Sequence, residues 1–77
     1  MMVNISSEAE EVLRKLNELD GGYGSWGADQ ENIIRALEEL RAVGFVNYTF
    51  PLPNIKATLV TAYIEEKGRK YLKDRDN

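Results

Sequence analysis

Gly22, Gly24 and Gly27 spell G-x-G-x-x-G, the spacing that lets a backbone close on a pyrophosphate. That chemistry needs the motif directly after a parallel strand and before a helix, with an acidic residue ~20 positions further on. Here a helical run precedes the glycines and Asn47 stands at that offset, so no nucleotide cofactor is expected. Tyr23 and Trp26 in the same stretch have two readings: a platform on which bases stack, or large side chains that fold onto the helices to enlarge a small core. The second is preferred, since large aromatics are mostly buried. Gln30, Asn32 and Arg35 carry the amide and guanidinium groups that read base edges, while Lys56, Arg69 and Lys70 are candidates for phosphates.

Catalysis finds no such set. The serines at 6, 7 and 25 have no histidine anywhere in the chain to activate them, and there is no cysteine nucleophile. The adjacent pairs Glu38-Glu39 and Glu65-Glu66 fall in helical runs, where neighbours diverge by roughly 100° and do not converge on one substrate; they read as solvated faces. The absence of histidine and cysteine also removes the usual zinc and copper ligands. Neither an enzyme nor a metal or other cofactor is expected.

A chain of 77 residues makes one small domain, and at this size only roughly 60 to 65% of the unfolded surface is buried. A homodimer is one way to bury more. Charge is unevenly placed: residues 1–66 hold five Lys and Arg against eleven Asp and Glu, a net of minus six, whereas residues 67–77 hold five against two, a net of plus three. An acidic body is repelled by phosphates, so this balance tells against non-specific DNA affinity while leaving local patches free to act. No disulfide, no leader-like N-terminal segment and no apolar run near the ~20 residues that span a bilayer point to a cytoplasmic protein without a membrane segment.

Five elements follow from periodicity and residue type. Ile5, Ala9, Val12, Leu13, Leu16 and Leu19 recur at three and four and predict a first helix over about residues 8–19, with Ser7 and Glu10 as a capping box. The glycine-rich stretch Asp20 to Ala28 reads as a loop. Asp29 is expected to cap a second helix over residues 30–43, with Ile33, Ile34, Leu37 and Leu40 inward and Gly44 at the left-handed position that ends it. Glu31, Asn32, Arg35, Glu38, Glu39 and Ala42 then face outward, one cation with three carboxylates. Residues 45–50 and 58–64 are rich in β-branched and aromatic side chains and predict two strands, joined by a proline-containing tip that carries Lys56. From Glu65 the pattern turns helical, with the final four residues expected to fray.

The run ALEELRAVGFV, the closing strand residues Tyr63 and Ile64, and EEKGRKYL together resemble the winged helix-turn-helix superfamily, in particular small PadR-like or MarR-like regulators. Gly22-Tyr23-Gly24 is similar to the GYG that PadR-like proteins place after their first helix. The resemblance covers about residues 36–72. It implies an α+β winged-helix domain whose second helix here enters the major groove, hence a transcription-regulator-type protein that binds double-stranded DNA. Two departures stand out: only nine residues, four of them glycine, lie between Leu19 and Asp29, where the family has a further helix, and Glu65 replaces the Ser or Thr that caps the last segment. The alternative is a protein-interaction module with the same fold and no DNA binding, docking through the acidic face of the second helix or the aliphatic tip.

Overall fold

A computed structural model describes residues 4–27, 29–49 and 59–76. In chain order these form α1 (Ser7–Glu18), a single 3₁₀ turn (Asp20–Gly22), β1 (Tyr23–Gly27), α2 (Glu31–Ala42), β2 (Val46–Thr49), β3 (Leu59–Ile64) and α3 (Glu66–Asp76). The strands make one antiparallel sheet in the order β1-β3-β2, with Tyr23 opposite Tyr63 and Val46 opposite Ile64. The result is an α+β fold: three helices and a three-stranded antiparallel sheet among the described residues.

Alternation along the strands fixes which sheet face meets the helices. Val46 and Tyr48 from β2 and Val60, Ala62 and Ile64 from β3 point inward, against Leu13 and Leu16 of α1, Leu37 and Leu40 of α2, and Leu72 of α3. Phe45 is the largest side chain fully buried in this cluster. The expected helix stripes hold at their centres and loosen at their ends. Leu19 ends α1 in an extended conformation and is 39% exposed, and Ile33 and Ile34 are half-buried against the core's edge.

The helix caps differ from the expected ones in an instructive way. Ser6, not Ser7, caps α1: its hydroxyl accepts from the Ala9 N–H at 3.1 Å. In a capping box, the third helical residue would return a carboxylate to the cap's own N–H, but that residue is alanine. Glu39 of α2 supplies it instead, accepting from the Ser6 N–H at 2.6 Å and the Ser6 hydroxyl at 2.9 Å. Glu39 is therefore a strut between α1 and α2, not part of a solvated face. Asp29 does not cap α2 either. Gln30 takes the cap position without a side-chain bond, and the Asp29 carboxylate lies over Gly27.

The C-terminus of α2 follows expectation. Gly44 adopts φ +80°, its N–H donates to the Arg41 carbonyl at 3.0 Å, and the Phe45 N–H donates to the Leu40 carbonyl at 2.9 Å, which together make a Schellman motif. The stretch expected as a glycine-rich loop departs most: Tyr23 to Gly27 is a strand hydrogen-bonded to β3. Two glycines in five residues lower its intrinsic strand propensity, but pairing with β3 decides the outcome.

The final residues are not frayed through Asp76. Arg14 of α1 grips the Asp76 carboxylate with two hydrogen bonds, at 2.9 and 3.1 Å. Arg75 meets Glu10 at 2.6 Å. These pairs bind the end of α3 across α1. The hydrogen bonds from Arg14, with its charge and that of Arg75, hold the Asp76 carboxyl below its usual range.

Two predictions follow from this packing. At Gly68 a Cβ would stand 2.5 Å from the Phe45 carbonyl oxygen, a backbone atom that cannot turn aside. Gly68→Ala is therefore expected to cost ~1–3 kcal/mol in a urea melt, as an overpacked core position does; an unchanged midpoint would mean that α3 stands off the sheet. The second concerns pH. Because the folded-state value for Asp76 is depressed, its contribution is present above the unfolded value of ~3.9 and is lost as pH falls through the lower folded value. Hydrogen exchange should show protection of the last turn of α3 falling below about pH 4, with Asp76→Asn removing that dependence at this turn. Pairing that survives acidification would contradict the assignment.

Candidate nucleic-acid interface

The exposed side of α2 carries the base-reading candidates. Gln30, Asn32 and Arg35 are all exposed there, in the first two turns. Two changes alter the charge of this surface from that expected. Glu39 is withdrawn to Ser6, and Arg41, which the helical projection did not single out, sits with its guanidinium 5.1 Å from the centroid of the Tyr48 ring. The ring belongs to β2, so Arg41 lies where α2 meets the sheet. Arg35 and Arg41 now oppose Glu31 and Glu38, which leaves this side of the helix balanced in charge.

Between α1 and the start of α2 runs an open groove of about 440 Å³, floored by Val12, Trp26 and Ile33. Glu8, Glu11 and Lys15 line it from α1, and Gln30 and Asn32 from α2. The α1 residues recur at the three- and four-residue spacing of one helix face, a signal present in the sequence. What local pattern does not carry is that α2 stands opposite them.

Trp26 explains one of the glycines. Its indole leans back over Gly24, where a Cβ would fall 2.8 Å from the ring and 2.9 Å from a Leu16 methyl. Trp26 is thus half-buried on the helix side of the sheet, as the core reading expects. Tyr23, three residues earlier and so on the other alternation, does not follow it. It is 61% exposed on the opposite face, its ring 6.3 Å from that of Tyr63. The two aromatics cannot form one stacking platform. The G-x-G-x-x-G run ends inside an antiparallel strand, away from the parallel-strand setting that a dinucleotide needs.

The remaining candidates are dispersed. Arg69 reaches across Gly22, at the start of β1, whereas Gln30 follows the end of the same strand, ~16 Å away at ~3.3 Å per residue. Lys70 is exposed on α3. Lys67, also on α3, lays its chain over Gly44, which brings a cation to the C-terminal end of the α2 dipole. Lys56 and the tip around it lie outside the described residues. So Gln30, Asn32 and Trp26 are brought together with each other, Arg35 and Arg41 share the exposed side of α2, and Arg69 is at the opposite end of β1. No protein-family model, curated protein or solved structure matches the chain significantly.

The Trp26 position is directly testable. Gly24→Ala should push the indole off Leu16, shifting its emission to longer wavelength and lowering stability by ~1 kcal/mol or more. An unchanged spectrum would show that the ring does not cover Gly24.

Proposed function

We propose that this chain is a winged-helix-type domain that binds double-stranded DNA through the exposed side of α2, as a small transcription regulator in the cytoplasm. The observation that carries this reading is the composition of that side. Gln30, Asn32 and Arg35 occupy its first turns, Arg41 extends it toward the sheet, and the carboxylate nearest α1, Glu39, is tied to Ser6. The order of elements agrees with the resemblance noted from sequence: α2 ends at Gly44 and passes directly into β2, its antiparallel neighbour β3 follows, and α3 closes the chain. In this reading Arg35, Gln30 and Asn32 meet base edges, and Arg41, Lys70 and Lys56 meet phosphates. Arg69 would reach only phosphates remote from α2.

A second reading has its own support. Glu8 and Glu11 stand beside Trp26 in the α1–α2 groove, a combination of carboxylates and an aromatic that suits a cationic side chain of a protein partner. The same groups repel phosphates. A protein-interaction module of the same fold would use this groove in place of the exposed side of α2.

Titrating duplex DNA at ~50 mM salt, where electrostatic binding is strongest, separates the two. If the DNA reading holds, Trp26 emission changes on binding, and log affinity falls with log salt at a slope near −2 to −4, as expected for a handful of cations. Arg35→Ala should weaken binding ~5- to 100-fold and relax sequence preference, whereas Lys70→Ala should weaken all sequences alike and flatten the slope by roughly one unit. No emission change and no mobility shift with genomic fragments would sink the DNA reading.

A further inference from the structure

The outer edge of β1 is built to pair with itself. Which backbone groups face that edge follows from one hydrogen bond at the other end of the sheet. The Glu65 N–H donates to the Phe45 carbonyl at 2.8 Å. Continuing the β2–β3 register by one residue makes Phe45 and Glu65 opposite neighbours, so they form a hydrogen-bonded pair, as do Asn47 with Tyr63 and Thr49 with Thr61. A residue in an antiparallel ladder directs both its N–H and its C=O to the same side. Ile64, Ala62 and Val60 therefore turn theirs toward β1, where they meet Gly24 and Trp26. Tyr23, Ser25 and Gly27 consequently direct their backbone groups away from the sheet.

Of these groups, the Gly27 carbonyl accepts from the Gln30 N–H at 3.0 Å. The others have no strand beside them among the described residues. Edge strands are usually guarded by a charge, a proline or a bulge, and Tyr-Gly-Ser-Trp-Gly has none.

We propose that β1 pairs antiparallel with β1 of a second copy of this chain, about a two-fold axis at Ser25, joining two three-stranded sheets into one of six. The sequence of the strand selects a copy of itself. In this register Ser25 exchanges hydrogen bonds with Ser25, Tyr23 falls opposite Gly27, and Gly24 falls opposite Trp26. Each aromatic of one copy thus meets a glycine of the other, on both faces of the sheet. Asp29, whose carboxylate lies over Gly27, then comes beside Tyr23 of the other copy. Moving the axis one residue toward Trp26 would set two indoles opposite each other; moving it the other way would leave Gly27 beyond the strand, opposite Gly21.

Charge shapes the strength of the pairing. The strand itself is neutral, so two chains of net charge −3 can approach here. Asp20 and Asp29 bracket it, however, and bring like charges together at each end of the joined strands. A five-residue edge buries less than the ~800 Å² per partner of a standard stable interface, so the dimer is weak and concentration-dependent. Salt strengthens it, the reverse of its effect on DNA binding.

Sedimentation equilibrium of the full chain without DNA tests this independently of the DNA reading. The mass should rise from the 8.8 kDa monomer toward twice that value with concentration, and the dimer should tighten between ~50 and ~500 mM salt. Ser25→Lys places two cations across the axis, and Ser25→Pro removes an N–H that β3 does not use. Each should raise the dissociation constant at least ~10-fold, with circular dichroism unchanged for Ser25→Lys. In the wild-type protein, amide exchange at Tyr23 and Ser25 should slow as concentration rises. A monomer at all concentrations to ~1 mM, or a dimer indifferent to both substitutions, would overturn the proposal; so would association only with extended peptides of other sequence.

Discussion

Phe45 joins three parts of the molecule, and its position constrains them all. Its N–H closes α2 by donating to Leu40, its carbonyl accepts from Glu65 where β3 passes into α3, and its ring is buried, 4.8 Å from that of Tyr71. The left-handed Gly44 turns the chain into that position, and Gly68 lets α3 come down onto the Phe45 carbonyl. The angle between α2 and the sheet and the seat of α3 therefore depend on a backbone junction with little freedom. A helix end, a strand end and a helix start share one set of hydrogen bonds, so none can shift alone.

Much of this junction was legible from residue order because it is local. A glycine after an amphipathic run, followed by an apolar residue five positions past the last inward leucine, specifies a Schellman ending from local sequence. The two later strands were visible through their β-branched alternation, and the inward stripe of α1 through its spacing. β1 was not legible, because its glycines are explained only by what lies across from them: Trp26 and Leu16 occupy the space above Gly24. The Ser6 cap was missed for a related reason. Its carboxylate partner is 33 residues away on another helix, where no local motif can find it. The ordered end of α3 rests likewise on Arg14 and Glu10, distant in the chain.

The candidate surface was half legible. The exposed positions at the start of α2 followed from the helical projection, but their electrical setting did not. Removing Glu39 and adding Arg41 changes an acidic helix face into a balanced one, while the neighbouring groove gathers Glu8 and Glu11 from α1. One side of Asn32 thus faces carboxylates and the other faces Arg35's side of the helix. Net charge conceals this division, because it averages over surfaces that no single ligand touches together.

The sheet face turned away from the helices has a further consequence. Tyr23, Ser25, Asn47, Thr49, Leu59, Thr61 and Tyr63 cover its described part without a single formal charge, although 30% of the chain is charged. Repulsion between molecules in solution therefore comes from the acidic sides and ends of the domain. As the pH is lowered toward the isoelectric point near 4.9, that repulsion vanishes while the neutral face is unchanged. Colloidal stability is thus set by groups other than those that would make the contact, and precipitation near that pH needs no loss of the fold.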